Sequence, residues 1–509
     1  MSKNIVVYSD GTGQDGGVRP EQRVSNVYKL YRASHVSPDS PIDPKEQVAF
    51  YDPGLGTDIG ATALSAPVRF VQKLLGSVTG RGITTNIADC YAFIINHYRP
   101  GDRIFLIGFS RGAYTVRCIA NLLMLCGVPT KTPSGPLMRF RKAVNDIAEE
   151  SVNVVYEHGA GHPRHEFAAE REELARRFRE KYGSNGEVNS NAAPYFIGVF
   201  DTVASLGAKG LLRLAIQAGL GIGFGLGAAA LTVLPVLLLA GLAHLIFAAH
   251  FWPTMLVLWF LSVAGASIWW WRAQKASYRK TIRDFPKPGD VHTHYAEWKD
   301  ENFDKLLSAY VHYGRSANAI DENRKDFQRV GSGGVEAGAP ETVDGHERLV
   351  QLWFAGNHSD VGGSYPEVES RLSDVALSWM IEQATVVPNG LKVGPVFVNG
   401  TKMPGAGEQG AALHLFPAAD GVQHCEIAGM RDTIDQLAQR SPRFLHGLFE
   451  KLKWPEEMRK IDPKAPVHPF VTDRFKLDEV VQCASVGAYR PESLGKHEDF
   501  KNSYPPTVV

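Results

Sequence analysis

The chain lacks an excess of charge of either sign. Its 509 residues carry 54 Lys and Arg side chains against 54 Asp and Glu side chains, so the formal net charge at pH 7 is zero. Domains that bind nucleic acid usually present a strongly basic surface, and the sequence contains no nucleic-acid-binding motif. We therefore expect no nucleic-acid partner.

Cysteine is scarce. The five cysteines are Cys90, Cys118, Cys126, Cys425 and Cys483. Their number is odd, their spacing is not that of a metal site, and each lies in an apolar or helical context. We predict reduced thiols with a structural role, and we expect neither a metal nor another cofactor. Reduced thiols favour a catalytic part in the cytoplasm.

A secretory signal is not predicted, and charge is missing from one long internal stretch. The apolar run in "MSKNIVVYSDGTGQ" is too short for a signal peptide and predicts a buried strand. Between Arg213 and Arg272 the chain has no Lys, Arg, Asp or Glu. This length suits two membrane spans broken near His250 to Pro253. We predict a transmembrane helical hairpin over 209–275; the alternative is a buried apolar hairpin in a soluble protein.

The charges that flank this apolar stretch predict its orientation. Lys209 and Arg213 precede it, Arg272 and Lys275 follow it, and the short connection between the two spans has neither Lys nor Arg. By the positive-inside rule both flanks lie in the cytoplasm. We therefore expect a multi-pass membrane protein with two helices, whose catalytic domain and both termini are cytoplasmic.

The pentapeptide Gly108–Gly112, Gly-Phe-Ser-Arg-Gly, has the Gly-x-Ser-x-Gly spacing of a nucleophile elbow. The segment "RIFLIGF" before it predicts a buried strand, and "RGAYTVRCIANLLMLCG" after it predicts a helix. Glycine is favoured at both ends because side chains clash across so sharp a turn. Ser110 is therefore the predicted nucleophile; the alternative is a serine in an ordinary strand-to-helix loop.

Strand and helix patterns alternate outside the apolar stretch, which predicts a mostly parallel sheet covered by helices. We predict an α/β-hydrolase-like domain in two parts, 1–208 and 276–509, interrupted by the hairpin. Within the first part, 129–190 is a charged helical insertion. Its "EFAAEREELARRFREKYG" helix is interpreted as a solvated surface element, with a lid as the alternative.

Two more polar residues follow predicted strands, in the chain order nucleophile, acid, histidine. Asp201 follows "APYFIGVF" and His358 follows "LVQLWFAGN". Functional groups of an open α/β sheet collect at the carboxyl ends of its strands. We predict that His358 is the base for Ser110 and that Asp201 orients its imidazole. Asp360 is the alternative acid, and His468 is the alternative base.

An oxyanion hole needs backbone N–H groups close to the serine. One is expected from Arg111, the residue after the nucleophile. Gly11 and Thr12, in the "DGTG" loop after the first strand, are candidates for the second. Asp10 either belongs to this site or caps its own loop, a common role of Asp before Gly.

Several segments resemble one known family. They include "SDGTG", "FYDPGLGT", "YRPGDRIFLIGFSRGAYTVR", "FIGVFDTVASLG", "AIDENRKDF" and "QLWFAGNHSDVGGSYPE". In this order they resemble the catalytic domain of the Tle1-like phospholipase effectors of type VI secretion. The resemblance implies an α/β-hydrolase fold, a serine nucleophile at Ser110 and, for the secreted members, phospholipase activity.

The chain departs from this family pattern in two places. In "GRSANAIDENR" it has Ser316 where the family often has a histidine. If that histidine were the base, this chain would lack it, so the role of His358 needs a test. The apolar hairpin also differs from a freely secreted toxin, and the secretion role is not carried over.

The hairpin begins soon after Asp201, which would hold the predicted site near a bilayer. We predict a membrane-anchored serine hydrolase that cleaves phospholipid acyl esters, or related lipid esters, through an acyl-enzyme without a metal. One alternative is a catalytically altered membrane scaffold. Another is a metal-dependent phosphoester hydrolase that uses Asp10, Asp201, His358 and Asp360. The oligomeric state is not predicted.

Overall fold

The structure is a computed structural model. It describes residues 2–11, 14, 24–54, 81–187, 189–203, 210–248, 250–298, 310–327, 329–331, 341–439, 446–447, 455–483 and 485–505. The central sheet has six strands, in chain order β1 (Asn4–Ser9), β2 (Gln47–Asp52), β3 (Arg103–Phe109), β4 (Pro194–Phe200), β5 (Tyr313–Ala319) and β6 (Leu349–Phe354). Their spatial order is β6-β5-β4-β3-β1-β2, and each neighbouring pair is parallel.

The helices of the described residues are, in chain order, α1 (Asn26–Ser34), α2 (Arg81–His97), α3 (Arg111–Cys126), α4 (Lys142–Glu150), α5 (Ala168–Tyr182), α6 (Gly210–Phe247), α7 (Phe251–Tyr278), α8 (His358–Gly362), α9 (Arg371–Val386), α10 (Glu426–Gln439) and α11 (Pro469–Phe475). Some of them cover the two faces of the sheet. Helices α2 to α5 pack on one face, and α1 and α9 pack on the other. The predicted α/β fold with a mostly parallel sheet is confirmed.

Burial on both faces explains the apolar strands. In β1, Ile5 and Val7 belong to the core beneath α2 and α3, whereas Val6 and Tyr8 belong to the core beneath α1 and α9. Successive side chains of a strand point to opposite faces, so a strand covered on both faces is apolar at nearly every position. "NIVVYS" therefore shows no alternation between apolar and polar residues.

The charged insertion contributes one helix face to the core in addition to its solvated face. Leu174 and Phe178 of α5 are buried in the core that covers the sheet. Only the outer face of this helix carries exposed ion pairs, such as Arg176 with Glu173 and Glu180. The apolar stripe of α5 consists of few residues, so it is not evident in a sequence with so many charged side chains.

Two long apolar helices, α6 and α7, form a hairpin between β4 and β5. They pack against each other through the Phe224 and Trp270 rings, 5.8 Å apart, and through a hydrogen bond from the Trp259 indole to the Ala229 carbonyl. The apolar parts Gly223–Phe247 and Phe251–Tyr278 have mean hydropathies of 2.3 and 1.6. At most 11% of the most apolar stretch of either helix is buried. By length and composition both could cross a membrane. Strands on both sides of the hairpin build one sheet.

The cysteine prediction needs a correction. Cys90, Cys118 and Cys126 are free and buried, as expected for structural thiols. Cys425 and Cys483, however, form a disulfide with their Cα atoms 4.7 Å apart, although 58 residues separate them in the chain. Spacing in the sequence could not predict this pair, because only the packing of the C-terminal segment brings the two residues together.

Candidate active site

Ser110 lies in a sharp turn between β3 and α3. Its φ of 57° and ψ of −123° belong to a region that side chains rarely occupy. The glycines of the pentapeptide are required by close packing. A Cβ atom on Gly112 would lie 2.1 Å from the Ser9 carbonyl oxygen, and one on Gly108 would lie 2.6 Å from the Gly112 carbonyl oxygen. The turn therefore presents Ser110 at the carboxyl end of β3, beside the end of β1, with the serine 8% exposed.

The carboxyl ends of β1, β3 and β4 bring three predicted site residues together. Strands β1 and β3 are neighbours at the point where the strand order reverses, which is where open α/β sheets bind ligands. The Ser110 N–H donates to the Phe200 carbonyl, 3.1 Å away, directly before Asp201. A Cβ atom on Gly11 would lie 3.4 Å from the Ser110 Cβ. Gly11, Ser110 and Asp201 thus share one edge of the sheet.

His358 reaches the same edge from β6. It is the first residue of α8, and its Nδ1 lies 2.6 Å from Oδ2 of Asp201. The imidazole packs against the ring of Phe109, with centroids 4.7 Å apart, and meets Phe327 edge-on at 5.1 Å. Because Phe109 directly precedes Ser110, this packing places His358 beside the elbow. A carboxylate on Nδ1 leaves Nε2 as the nitrogen that can accept a proton.

Arg459 is a site residue that the sequence did not reveal. Its guanidinium donates to both carboxylate oxygens of Asp201, with Nη2 2.8 Å from Oδ2. The Ala319 N–H also donates to Oδ1, at 2.9 Å. Complete burial alone would raise the pKa of Asp201, but Arg459 and His358 together hold it well below its usual value. No motif surrounds Arg459, so only its position in the fold identifies it.

Glu322 and Arg324 support the histidine from the "AIDENRKDF" segment. The Glu322 carboxylate accepts a hydrogen bond from the His358 backbone N–H at 3.1 Å and binds Arg324 through both of its oxygens. Arg324 also lies 3.5 Å from the centre of the Phe327 ring. The segment noticed in the sequence therefore holds the backbone and one face of His358.

The structure separates the alternative acid and base from the His358–Asp201 pair. Asp360 caps α8 and binds His424, with Oδ1 2.7 Å from Nδ1 of that ring. His468 caps α11 and stacks on Phe354 at 4.8 Å. Burial lowers the pKa of His468 to about 4. Asp360 and His468 therefore each have a structural role away from the His358–Asp201 pair.

The predicted oxyanion loop is built around Asp10. Its carboxylate accepts hydrogen bonds from the Gly11 N–H at 2.7 Å, from Tyr51 at 2.7 Å and from Ser25. Burial raises the pKa of Asp10 to about 6, against these hydrogen bonds. The Gly11 N–H is therefore already engaged, and Thr12 lies outside the described residues. Arg111 is the first residue of α3, where N–H groups have no partner within the helix.

Ser316, the departure from the family pattern, lies away from this edge. It is a buried residue in the middle of β5, paired in register with Val199 and Gln351. Its hydroxyl donates to the Asn318 side chain at 2.9 Å. The carboxyl end of β5 lies three residues later, at Ala319. His358 therefore occupies the edge of the sheet that Ser316 does not reach.

A cationic cavity lies next to the Asp201–Arg459 pair. It has a volume of about 260 Å³, and its lining includes Arg324, Arg329, Arg459 and Lys460 together with Trp353. Arg329 stacks on the Trp353 ring at 5.0 Å. Burial and the nearby Arg459 and Arg117 lower the pKa of Arg329 to about 10, which leaves it charged at neutral pH.

The chain is similar to a yeast protein and to two solved structures. "Uncharacterized protein YEL023C" of Saccharomyces cerevisiae is 24% identical over 475 residues, which are 85% of this chain and 64% of the yeast protein. The chain thus spans less than two thirds of that relative. Two solved structures are each 15% identical to the chain. An uncharacterized protein from Pseudomonas aeruginosa gives a TM-score of 0.32 over 77% of this chain and 47% of its own. The Tle1 effector bound to the VgrG spike of the type 6 secretion system gives 0.28 over 73% and 53%.

A family model matches more than half of the chain, over residues 3–220 and 277–383. Its description is "T6SS, Phospholipase effector Tle1-like, catalytic domain", and the name implies hydrolysis of lipid esters. The match stops within α6 and resumes near the end of α7, so most of the apolar hairpin lies outside it. The chain therefore belongs to the family of Tle1-like phospholipase effector catalytic domains.

Proposed function

We propose that this protein is a serine hydrolase that cleaves acyl esters of phospholipids, or related lipid esters, through an acyl-enzyme. The observation that carries the proposal is the 2.6 Å hydrogen bond between His358 Nδ1 and Asp201 Oδ2 beside the Ser110 elbow. A serine hydroxyl becomes a nucleophile when an oriented base takes its proton. The elbow, the base and its orienting carboxylate all lie at one edge of the sheet.

In this mechanism Ser110 Oγ attacks the ester carbonyl while His358 Nε2 takes its proton. Asp201 holds the imidazole in the tautomer with the proton on Nδ1 and stabilises the imidazolium. The Arg111 N–H stabilises the oxyanion. His358 then protonates the leaving alcohol. In the second half of the reaction His358 takes a proton from water, which attacks the acyl-Ser110 ester, and then returns the proton to Ser110 Oγ as the acid is released. Arg459 keeps Asp201 ionised throughout.

The cationic cavity supports a substrate that carries phosphate. Arginine guanidinium groups bind phosphate oxygens in bidentate geometry, and Arg324, Arg329 and Arg459 all line this cavity. A phosphate bound here would lie next to Arg459 and hence close to Asp201 and His358. Phospholipid esters combine both chemical groups.

The apolar hairpin supports anchoring in a membrane. Large apolar side chains such as Leu231, Leu245 and Trp269 are more than 60% exposed on α6 and α7, a cost in water that lipid removes. We place both flanks of the hairpin in the cytoplasm. Mapping with an N-glycosylation acceptor inserted after Phe247 tests this topology. Modification of that site, but not of a C-terminal acceptor, is expected, and the reverse pattern would overturn the orientation.

Hydrolysis by the detergent-solubilised protein on mixed phospholipid micelles tests the reaction. Ser110→Ala and His358→Ala are expected to abolish ester cleavage and, for Ser110→Ala, labelling by an organophosphonate. His468→Ala and Ser37→Ala, at the alternative base and at a partly exposed serine outside the site, are the matched controls and are expected to retain activity. An unlabelled, inactive parent protein would contradict the enzyme and favour the scaffold alternative.

The metal-dependent phosphoester alternative has less support. In the described part of the chain, the oxygens of Asp201 bind Arg459, Ala319 and His358, and those of Asp360 bind His424 and the Asn357 backbone. Within the described residues, Asp10, Asp201, His358 and Asp360 do not bring three ligand atoms close enough together to hold one metal ion. Activity that survives Ser110→Ala but not chelation would reverse this preference.

A further inference from the structure

A cluster of histidines lies outside the candidate active site, where three elements of the fold meet. His158 follows the π-helical turn Ser151–Tyr156, and Glu170 is in the first turn of α5. His292 and His294 lie on the strand Val291–Tyr295, which pairs with Arg279–Arg283 directly after α7. As alternate residues of a strand, His292 and His294 project from the same face. The cluster therefore joins the charged insertion to the ribbon that follows the apolar hairpin.

The side chains of this cluster converge within the reach of one ion. His158, Glu170 and His294 each offer one ligand atom, and these atoms all lie within 4.8 Å of one another. The two oxygens of Glu170 face two rings, with Oε2 2.6 Å from His158 Nε2 and Oε1 3.1 Å from His292 Nδ1. The rings of His158 and His294 meet edge to face with centroids 4.4 Å apart.

One ring nitrogen of the cluster has no partner within the described residues. The Gly159 N–H donates to Nε2 of His294 at 3.0 Å, but the buried Nδ1 of the same ring makes no hydrogen bond there. His158 is 1% exposed. A buried polar atom without a partner is unfavourable, so a ligand for this nitrogen is expected.

The chemistry of the side chains suits metal binding. Imidazole nitrogens and carboxylate oxygens are side-chain groups that coordinate metal ions in proteins.

We propose that His158, Glu170 and His294 bind Zn²⁺, with His292 or water as the fourth ligand. Two or three imidazoles and a carboxylate form a ligand set typical of zinc, whereas Mg²⁺ and Ca²⁺ prefer oxygen ligands throughout. When Nδ1 of His294 coordinates the ion, the ring proton moves to Nε2. Nε2 then no longer accepts the hydrogen bond from the Gly159 N–H, and the bond to the ion takes its place. The ion fastens α5 to the ribbon after α7 and takes no part in ester cleavage.

Zinc binding to the full chain in detergent, after treatment with EDTA and desalting, tests this proposal. The parent protein is expected to bind about one equivalent of Zn²⁺ in competition with a colorimetric chelator, and bound Zn²⁺ is expected to raise its Tm. His158→Gln and His294→Gln are expected to weaken binding at least about tenfold. His165→Gln, an exposed histidine of the same turn, is the matched control and is expected to bind like the parent.

Two further measurements keep the test decisive. Labelling of Ser110 by an organophosphonate reports whether each variant is folded, and it does not depend on zinc under this proposal. If the variants do not fold, Co²⁺ in the parent is expected to give the visible absorption bands of a four-coordinate site with nitrogen and oxygen ligands. A parent that binds no Zn²⁺, a featureless Co²⁺ spectrum, or variants that bind like the parent would overturn the site.

Discussion

The guanidinium of Arg459 contacts both carboxylate oxygens of Asp201, the residue that also accepts the hydrogen bond from His358. The three side chains are almost entirely buried. A buried carboxylate without a cation would be protonated or would unfold the site. We therefore propose that Arg459 is a positioning residue, which acts on the proposed reaction through Asp201.

Replacement of Arg459 tests this relationship. In the parent protein the charge of Arg459 opposes the effect of burial on the pKa of Asp201. Arg459→Gln removes this charge, so the pKa of Asp201 rises. We therefore expect the acidic limb of the pH profile of kcat/KM to move to higher pH. A folded-state pKa below the usual 3.8 stabilises the protein at neutral pH, and this stabilisation is lost as the pH falls through that lowered value. In the variant this loss begins at a higher pH, and stability at pH 7 falls by about 3–5 kcal/mol.

Arg459→Lys is the matched control, because it keeps the charge but not the bidentate geometry. We expect it to restore most of the stability and only part of kcat. The pH dependence of ester cleavage and of urea unfolding measures both effects. An unchanged acidic limb in Arg459→Gln would show that Arg459 does not control the ionisation of Asp201.

Asparagine substitutions distinguish the two candidate acids. Asp201→Asn removes the acceptor of His358 Nδ1 and is expected to lower kcat by about 10³–10⁴-fold with little change in KM. Asp360→Asn loses the contact with His424 and is expected to affect stability more than kcat. Steady-state kinetics on mixed micelles measures both. Equal losses of kcat would mean that Asp360 also acts on the reaction.

The contact between His424 and Asp360 predicts a pH-dependent stability. Burial alone would lower the pKa of His424, but its hydrogen bonds to Asp360 and Glu369 raise it above 6.5. A raised pKa means that the stabilisation is complete below pH 6.5 and is lost as the pH rises through the folded-state value. We expect the difference in unfolding free energy between the parent and His424→Gln to shrink from pH 6 to pH 9. A constant difference would contradict a charged pair.

The elbow tolerates no side chain at Gly112. Because a Cβ atom there would lie 2.1 Å from the Ser9 carbonyl, Gly112→Ala is expected to destabilise the protein by about 3 kcal/mol or more and to abolish Ser110 labelling. Gly487→Ala, where a Cβ atom meets nothing within 4 Å, is the control and is expected to change stability by less than about 0.5 kcal/mol. Chemical denaturation measures both, and normal labelling of Gly112→Ala would rule out this packing.

The Cys425–Cys483 disulfide tests both the fold and the proposed compartment. Purified protein is expected to expose three thiols on denaturation and five after reduction, with reduction lowering stability by roughly 2–4 kcal/mol. Cys425→Ser with Cys483→Ser is expected to match the reduced parent. The cytoplasm keeps thiols reduced, so cells quenched with acid are expected to yield five reactive thiols. A protected pair in those cells would contradict the cytoplasmic assignment.

The sequence by itself determined the features that depend on neighbouring residues. The apolar run of β3, the Gly108 to Gly112 pentapeptide and the helix that follows are local patterns, and they predicted the position of the Ser110 turn correctly. The apolar hairpin is local in the same sense, because its composition and length are read along the chain. The family was also predicted from ordered local segments, and it is confirmed.

Tertiary structure decided which distant side chains meet. Asp201, not the nearer Asp360, faces His358, because β4 and β6 end at one edge while α8 turns Asp360 toward His424. Arg459 reaches Asp201 across 258 residues of sequence. The same holds for the disulfide and for the His158, Glu170 and His294 cluster. These contacts depend on the packing of whole elements, and such packing leaves no periodic signal in the sequence around any one of the residues.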